Sequence, residues 1–231
     1  MTSRQCGLGW VATEDGYMTY LRALLLTLFL AVPAAAEQPY DLIFRMGTLD
    51  GLPRDEMLLY GREVAIDGNA EYADRNTGGI ELRFEPEDMA RLRFVKDTRH
   101  RNLGQFPATV GNPVIMYFVE TVLRDVAQEA GGSPFYIRNR IKDSLVQDAP
   151  VNDATLSYNG RDIAVKTVTL RPFENDKNRE KLRGYADLAL TFTMSEDVPG
   201  WYLSLEASAP GDQDGLSYRN ALTLHGMEAA Q

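Results

Sequence analysis

Cysteine is nearly absent from this chain. Its 231 residues contain one, Cys6, which lies before the predicted mature domain. A mature chain without cysteine has no thiol nucleophile, no disulfide framework and no cysteine ligand for a metal. The mature domain must therefore be stabilised by its hydrophobic core, and roughly 195 residues are enough to form one.

Histidine and the common catalytic motifs are also scarce. His100 and His225 are far apart, and no His-Glu-x-x-His is present. Gly-x-Ser-x-Gly, the P-loop and the dinucleotide fingerprint are absent. A calcium loop starting at Pro210 fails because Pro210 and Ala221 occupy positions that need Asp and Glu. The sequence predicts no metal and no cofactor.

One pronounced apolar run lies near the N-terminus. After Arg22, residues 23–32 are almost entirely apolar, and Pro33 and three alanines follow. This order predicts a secretory signal peptide over 18–36, cleaved before Glu37, in a bacterial protein of the periplasm or the extracellular space. Ten residues are too few to span a bilayer, so an uncleaved anchor is the weaker alternative. No cysteine follows the alanines, which argues against a lipid anchor.

Residues 1–17 do not fit a signal peptide, because Glu14 and Asp15 stand just before its apolar part. We interpret 1–17 as an upstream extension from a mis-assigned start, with translation beginning at Met18. Residues 37–231 are predicted to form a single α+β domain.

The first part of this domain, 37–110, is predicted to be rich in β-structure. Short apolar or alternating segments at 40–46, 63–68 and 80–84 are separated by Gly and Asn. Residues 85–94 fit either a helix opening at Pro86 or a turn followed by a strand.

A helical hairpin is predicted over 111–147. Asn112 and Pro113 are typical of a helix start, and Gly131 is suited to the helix end. Ser133-Pro134 then begins a second helix, whose Ile137, Ile141 and Leu145 share one face. The first helix is apolar on most sides, which predicts burial on more than one side.

Residues 153–226 alternate with a period of two, which predicts antiparallel strands. Asn159-Gly160 is a strong hairpin signal. Leu188, Leu190, Phe192 and Met194 are predicted on one face. In 201–208, Trp201, Leu203, Leu205 and Ala207 are predicted inward and Tyr202 outward. The predicted fold is α+β, a twisted antiparallel sheet of eight or nine strands, with an open half-barrel as one form of it, and a helical hairpin packed against it.

Two segment pairs are weakly similar in sequence. Residues 59–66 resemble 158–165, and residues 82–93 resemble 170–183. A duplicated sheet unit and chance similarity between strand-turn sequences both account for this, and chance is the simpler explanation.

Charge is unevenly distributed along a chain of net charge −9. Residues 37–90 carry net −8, 91–142 carry net +5 and 143–231 carry net −6. We predict that Arg99, Arg101, Arg138 and Arg140 of this basic middle form a site for an anionic ligand, since guanidinium groups bind phosphate and carboxylate well. The alternative is that these arginines pair with acidic residues of the same fold. Export and the acidic remainder exclude nucleic acid.

The leading functional hypothesis is a non-catalytic exported protein that binds an amphipathic or anionic small molecule such as a lipid. Periplasmic lipoprotein carriers have a similar architecture, a likeness of architecture alone. One alternative is a hydrolase of envelope polymers with paired carboxylates, for which Glu85, Asp176 and Glu196 lie in candidate clusters. Another is a structural partner of an envelope protein. The mature chain is predicted not to span the membrane, and the sequence does not define its oligomeric state.

Overall fold

The computed structural model describes residues 38–131, 133–210 and 216–230. The predicted extension at 1–17 and the predicted signal peptide at 18–36 lie outside these residues. Both therefore stay predictions.

The described residues contain a nine-stranded antiparallel sheet. Its strands, in chain order, are β1 Glu56–Ile66, β2 Gly78–Glu85, β3 Met89–Lys96, β4 Arg99–Pro107, β5 Val151–Tyr158, β6 Arg161–Leu170, β7 Ala189–Met194, β8 Tyr202–Pro210 and β9 Leu216–Ala229. The order across the sheet is β4-β3-β2-β1-β9-β8-β7-β6-β5. The α+β prediction, including nine strands, is confirmed.

Two meanders meet in the centre of this sheet. Strands β1 to β4 form one, β5 to β9 form the other, and the long strands β1 and β9 pair from Glu56↔Ala229 to Ile66↔Tyr218. Within the described residues, no pairing joins β4 to β5, so the sheet is open and these two strands are its edges.

A helical hairpin lies in the connection between the two edge strands of the sheet. The described α-helices are α1 Pro39–Ile43, α2 Ala70–Asn76, α3 Val114–Ala130 and α4 Pro134–Leu145, and 3-10 segments lie at Ala108–Val110 and Arg179–Asp187. Eight strand spacings separate the edges by about 38 Å, and α3 and α4 are about 26 and 18 Å long. The helical hairpin lies in the connection from β4 to β5, and α3 is apolar on most sides because it packs against α4, the 3-10 segment Arg179–Asp187 and β8.

The hairpin packs on the sheet face that carries the predicted apolar residues of β7. Leu188, Leu190, Phe192 and Met194 are fully buried. The ring of Phe118 in α3 meets Phe192 edge-on, with centroids 6.1 Å apart. In α4, Ile137, Ile141 and Leu145 are buried, as predicted from their spacing.

The start of α3 is fixed to the sheet by Asn112. Its Oδ1 accepts from the Val114 backbone N–H at 3.1 Å, which is the predicted capping role. Its Nδ2 donates to the Tyr60 hydroxyl at 3.0 Å and to the Gly200 carbonyl at 2.9 Å. Gly131 ends the helix in the left-handed region, with φ 69°.

The structure corrects two local expectations, for 40–46 and Tyr202, and decides between the two alternatives for 85–94. The segment 40–46 is not a strand, because Pro39–Ile43 forms a helix with the proline in its first turn. Residues 86–88 form a turn, and strand β3 follows. Tyr202, predicted outward, is buried: a bulge pairs it with Met194, and its hydroxyl donates to the Ile43 carbonyl at 2.7 Å.

The two similar segment pairs do not form a structural repeat. Residues 59–66 lie inside the continuous strand β1, whereas 158–165 contain the Asn159-Gly160 turn between β5 and β6. Residues 82–93 form a β-hairpin, and 170–183 run from the end of β6 through a loop into a 3-10 segment. Chance similarity therefore accounts for the resemblance.

Candidate functional site

A cavity of 860 Å³ opens between α3 and the β1–β4 half of the sheet. Its walls come from β1, α2, β3, β4 and α3. Its volume falls within the range of about 300–1,000 Å³ that is usual for small-molecule sites. We call it the polar cavity, because four arginines and two carboxylates line it: Arg62, Arg75, Arg101, Arg124, Glu120 and Asp125.

Arg62 is the most buried of these cations, with 3% of its surface exposed. It lies on β1 at an inward position of the strand's alternation, between Tyr60 and Val64. Its Nη1 donates to the Tyr117 hydroxyl at 2.9 Å and to Asn76 Oδ1 at 3.4 Å. Both partners are neutral. Nε has no hydrogen-bond partner among the described residues.

Asp125 is a buried carboxylate on the same cavity wall, 1% exposed. It accepts from the hydroxyls of Tyr72 at 2.6 Å and Tyr218 at 2.8 Å, and from Asn220 Nδ2 at 3.0 Å. Burial, together with the negative charge of Asp125, raises the pKa of Tyr72 and of Tyr218. Both phenols therefore stay protonated and act as donors, which leaves the carboxylate satisfied without Arg62.

A second, largely apolar groove of 620 Å³ adjoins the polar cavity. Its apolar side chains include Tyr40, Phe44, Met46, Phe106, Val110 and Met116. Met46, Val110 and Met116 are 71%, 57% and 55% exposed, so the rim of this apolar groove is open to solvent. Isolated apolar residues on a surface are ordinary, but a group around one concavity indicates a contact site.

The two concavities lie next to each other and share two lining residues. Phe106 of β4 and Met116 of α3 line both. Strand β4 runs past each of them in turn, from Arg101 at the polar cavity to Pro107 at the apolar groove. The polar cavity and the apolar groove are therefore neighbours along β4 and α3.

The structure separates the four arginines that the sequence predicted as one site. Arg101 lines the polar cavity and lies over the Phe94 ring at 5.5 Å. Arg99 and Arg101 both line a smaller cavity of 340 Å³ at the β3–β4 hairpin.

Arg138 and Arg140 lie instead on α4, and neither lines any of these three concavities. Arg138 Nη2 is 3.5 Å from Glu120 Oε2, and Arg140 contacts Asp143 and lies 3.8 Å from Asp176. Their role in ligand binding stays a prediction, and the observed contacts are those of arginines that pair within their own fold.

Three buried polar residues of the site were missed in the sequence: Arg62, Asp125 and Asn220. Each lies on the face of its strand or helix that otherwise carries apolar residues. Arg62 alternates with Tyr60, Val64 and Ile66 on β1, and Asn220 alternates with Tyr218 and Leu222 on β9. A charged residue at such a position is the signal that could have identified the site.

The carboxylates proposed for a hydrolase do not form facing pairs. Glu85 pairs with Arg91, Glu196 pairs with Arg45 at 2.8 Å, and Asp176 accepts from Tyr136. In the polar cavity, Glu120 and Asp125 belong to one helix and lie on the same wall. The three concavities described in this section do not place two carboxylates on opposite sides of a cleft, as glycoside hydrolysis requires.

Comparison with known proteins gives little. No protein-family model and no curated protein matches the chain. Among solved structures, the chain is similar to the lipoprotein LppX of Mycobacterium tuberculosis, with 10% sequence identity and a TM-score of 0.33, over 80% of this chain and 92% of that one. A likeness this low assigns neither a family nor a ligand.

In the part of the chain that the structure describes, no helix has both the length and the apolar composition that a bilayer span needs.

Proposed function

We propose that this is a non-catalytic, exported binding protein for an amphipathic ligand with an anionic headgroup, the chemistry of a lipid or fatty acid. The observation that carries the proposal is that the polar cavity, with buried Arg62, and the apolar groove lie side by side and share Phe106 and Met116. The headgroup is placed against Arg62 and the hydrocarbon part along Phe106 and Met116.

The state of Arg62 supports an anionic headgroup. A buried charge is costly unless it is paired, and the two hydrogen-bond partners of Arg62 are neutral. Asp125 is held by three neutral donors, so it is not reserved for Arg62. A carboxylate or phosphate entering the cavity would offset the desolvation of this guanidinium and form charge-assisted hydrogen bonds with it.

The apolar groove supports a hydrocarbon tail. Its rim exposes Met46, Val110 and Met116 to water, and covering them with an alkyl chain would stabilise the complex by about 0.8 kcal/mol per buried CH₂. Methionine suits a site that must adapt to chains of different shape, because its side chain is flexible and polarisable.

Export is part of the proposal and rests on the leader sequence at 18–36. Amphipathic molecules that move through an aqueous compartment between membranes need a protein that shields their tails. A signal peptide and a shielded groove are consistent with that task.

A displacement assay tests the proposal with two ligands of equal chain length, decanoate and 1-decanol, competing against a fluorescent fatty acid. We expect both to bind the wild-type protein and decanoate to bind more tightly. Replacing Arg62 with Gln should weaken decanoate binding about tenfold or more, the effect of one hydrogen bond to a charged group. Decanol binding should change little.

The matched control is Arg161→Gln, which removes an exposed arginine at the β5–β6 hairpin. It should leave both affinities unchanged, and thermal unfolding should show that the Arg62 variant is folded. Failure of both ligands to displace the probe, or equal losses for decanoate and decanol in the Arg62 variant, would contradict the proposal.

An envelope protein is the second candidate occupant of the apolar groove, favoured by the exposure of Met46, Val110 and Met116 on one rim. Native mass spectrometry of gently purified protein distinguishes the two. A bound mass of a few hundred daltons supports a small amphipath, and a bound polypeptide supports a protein partner.

A further inference from the structure

A third cavity, the hairpin cavity, lies next to the polar cavity that contains Arg62. It has a volume of 340 Å³ and lies at the β3–β4 hairpin, where Arg75, Lys96, Arg99, His100 and Arg101 surround a single carboxylate, Asp74. A chain of net charge −9 thus gathers at least four cations around one small concavity.

Two of these cations are already paired and two are not. Lys96 Nζ lies 2.9 Å from Asp74, and Arg75 lies 3.5 Å from Glu71. Arg99 and Arg101 form no ion pair among the residues that the structure describes. Arg101 instead lies over the Phe94 ring. Among the described residues, the protein therefore supplies no carboxylate partner to either of these two guanidinium groups.

The hairpin cavity lies next to the polar cavity. Arg75 and Arg101 line both. The hairpin cavity, the polar cavity and the apolar groove therefore follow one another along β4.

We infer that the hairpin cavity is a second anion subsite of the same ligand path, so that the natural ligand carries two separated anionic groups on an extended headgroup. The first group contacts Arg62 and the second contacts Arg99 and Arg101, while the hydrocarbon part occupies the apolar groove. This inference rests on the proposed function and specifies the class of ligand, a lipid with a multiply charged headgroup.

Lysophosphatidylinositol and its 4-phosphate test the inference, because they differ by one phosphate on an extended headgroup and each carries one acyl chain. Binding is measured by displacement of the fluorescent fatty acid. We expect the 4-phosphate to bind wild-type protein about tenfold more tightly, and this advantage should shrink as salt is raised from 0.05 to 0.5 M.

Arg99→Gln is the decisive variant, because Arg99 lines the hairpin cavity and not the polar cavity. It should reduce the advantage of the 4-phosphate by about fivefold or more and leave lysophosphatidylinositol binding unchanged. Arg161→Gln, at the opposite end of the sheet, should change neither affinity. Arg99 is exposed on an edge strand, so its replacement is not expected to affect folding.

The outcomes separate the inference from the proposed function. Equal binding of the two lipids to wild-type protein, or equal losses for both in the Arg99 variant, overturns the second subsite and leaves the first intact. If lysophosphatidylinositol and decanoate both fail to bind, the proposed function fails and the second subsite falls with it.

Discussion

At the residue scale, Gly200 determines how closely the helical hairpin approaches the sheet. It has φ 76°, and a Cβ placed there would lie 2.7 Å from Leu58 Cδ1 and 2.9 Å from Asn112 Nδ2. Its carbonyl also accepts a hydrogen bond from Asn112. The absent side chain therefore makes room for the residue that fixes the start of α3.

We predict that Gly200→Ala lowers the free energy of unfolding by about 2–4 kcal/mol, because it adds overpacking to the strain of a left-handed backbone. Chemical denaturation measures this change. Gly68→Ala is the matched control, since Gly68 has φ 75° and an added Cβ would meet nothing within 4 Å. Gly68→Ala therefore measures the effect of the left-handed backbone alone. An equal decrease in the free energy of unfolding in both variants would show that packing at Gly200 is unimportant.

Asn112 shows what a sequence can and cannot predict about such a residue. Its capping of α3 is local and follows from its position before a helix. Its bonds to Tyr60 and Gly200 join residues 52 and 88 positions away, and no local pattern encodes them. Arg62 lies between these cases. The sequence shows a charged residue at an inward position of β1, which is unusual, but the cavity around it is formed by α2, β4 and α3, which the local sequence does not predict.

At the element scale, periodicity predicted the elements whose apolar residues recur regularly. The helices α3 and α4 show a period of 3.6, and the strands β7 and β8 alternate with a period of 2. Residues 40–46 contain a continuous apolar run without such a period, and this run fits a buried strand or a helix equally well. Pro39 decides the outcome in favour of a helix start.

The β2–β3 hairpin carries an ion-pair cluster that makes its stability depend on pH. Glu81 Oε2 lies 3.2 Å from Arg83 Nε and 2.6 Å from Arg93 Nη2. Burial alone would raise the pKa of Glu81, but the hydrogen bonds and charges of Arg93 and Arg83 outweigh it and hold the pKa below its usual 4.5. A carboxyl with a lowered pKa stabilises the fold above the pKa of the unfolded chain, and this stabilisation is lost as the pH falls through the folded pKa.

We therefore predict that Glu81→Gln lowers the free energy of unfolding by about 1 kcal/mol at pH 7. The difference from wild type should shrink as the pH falls below about 4.5, as urea denaturation over pH 2–8 would show. Glu71→Gln removes an exposed partner of Arg75 and should have an effect below about 0.5 kcal/mol at every pH. A difference for Glu81 that is constant with pH would contradict this account.

At the scale of the whole molecule, the helical connection from one sheet edge to the other creates the site. The pairing of β1 with β9 places Arg62 opposite Leu222, one inward position along from Asn220, and α3 contributes Asp125, which binds Asn220, and Tyr117, which binds Arg62. The antiparallel class was predictable from period-two alternation, but the strand order was not, because β1 and β9 are separated by most of the chain. The cavity is a consequence of this order.

A ligand between α3 and β4 should accordingly stabilise one side of the molecule locally. At decanoate concentrations about 100 times its Kd, the free energy of unfolding should rise by about 2.7 kcal/mol, and Tm by about 5–10 °C.

Hydrogen–deuterium exchange should show where the ligand binds. With decanoate bound, the amides of Arg99–Pro107 and of the first half of α3 that exchange through local opening should exchange more slowly than in the free protein. Amides of the β5–β6 hairpin, at the other edge of the sheet, should exchange unchanged. Protection that is uniform, or strongest at β5–β6, would place the ligand elsewhere, because only contacts along β4 and α3 can selectively suppress opening there.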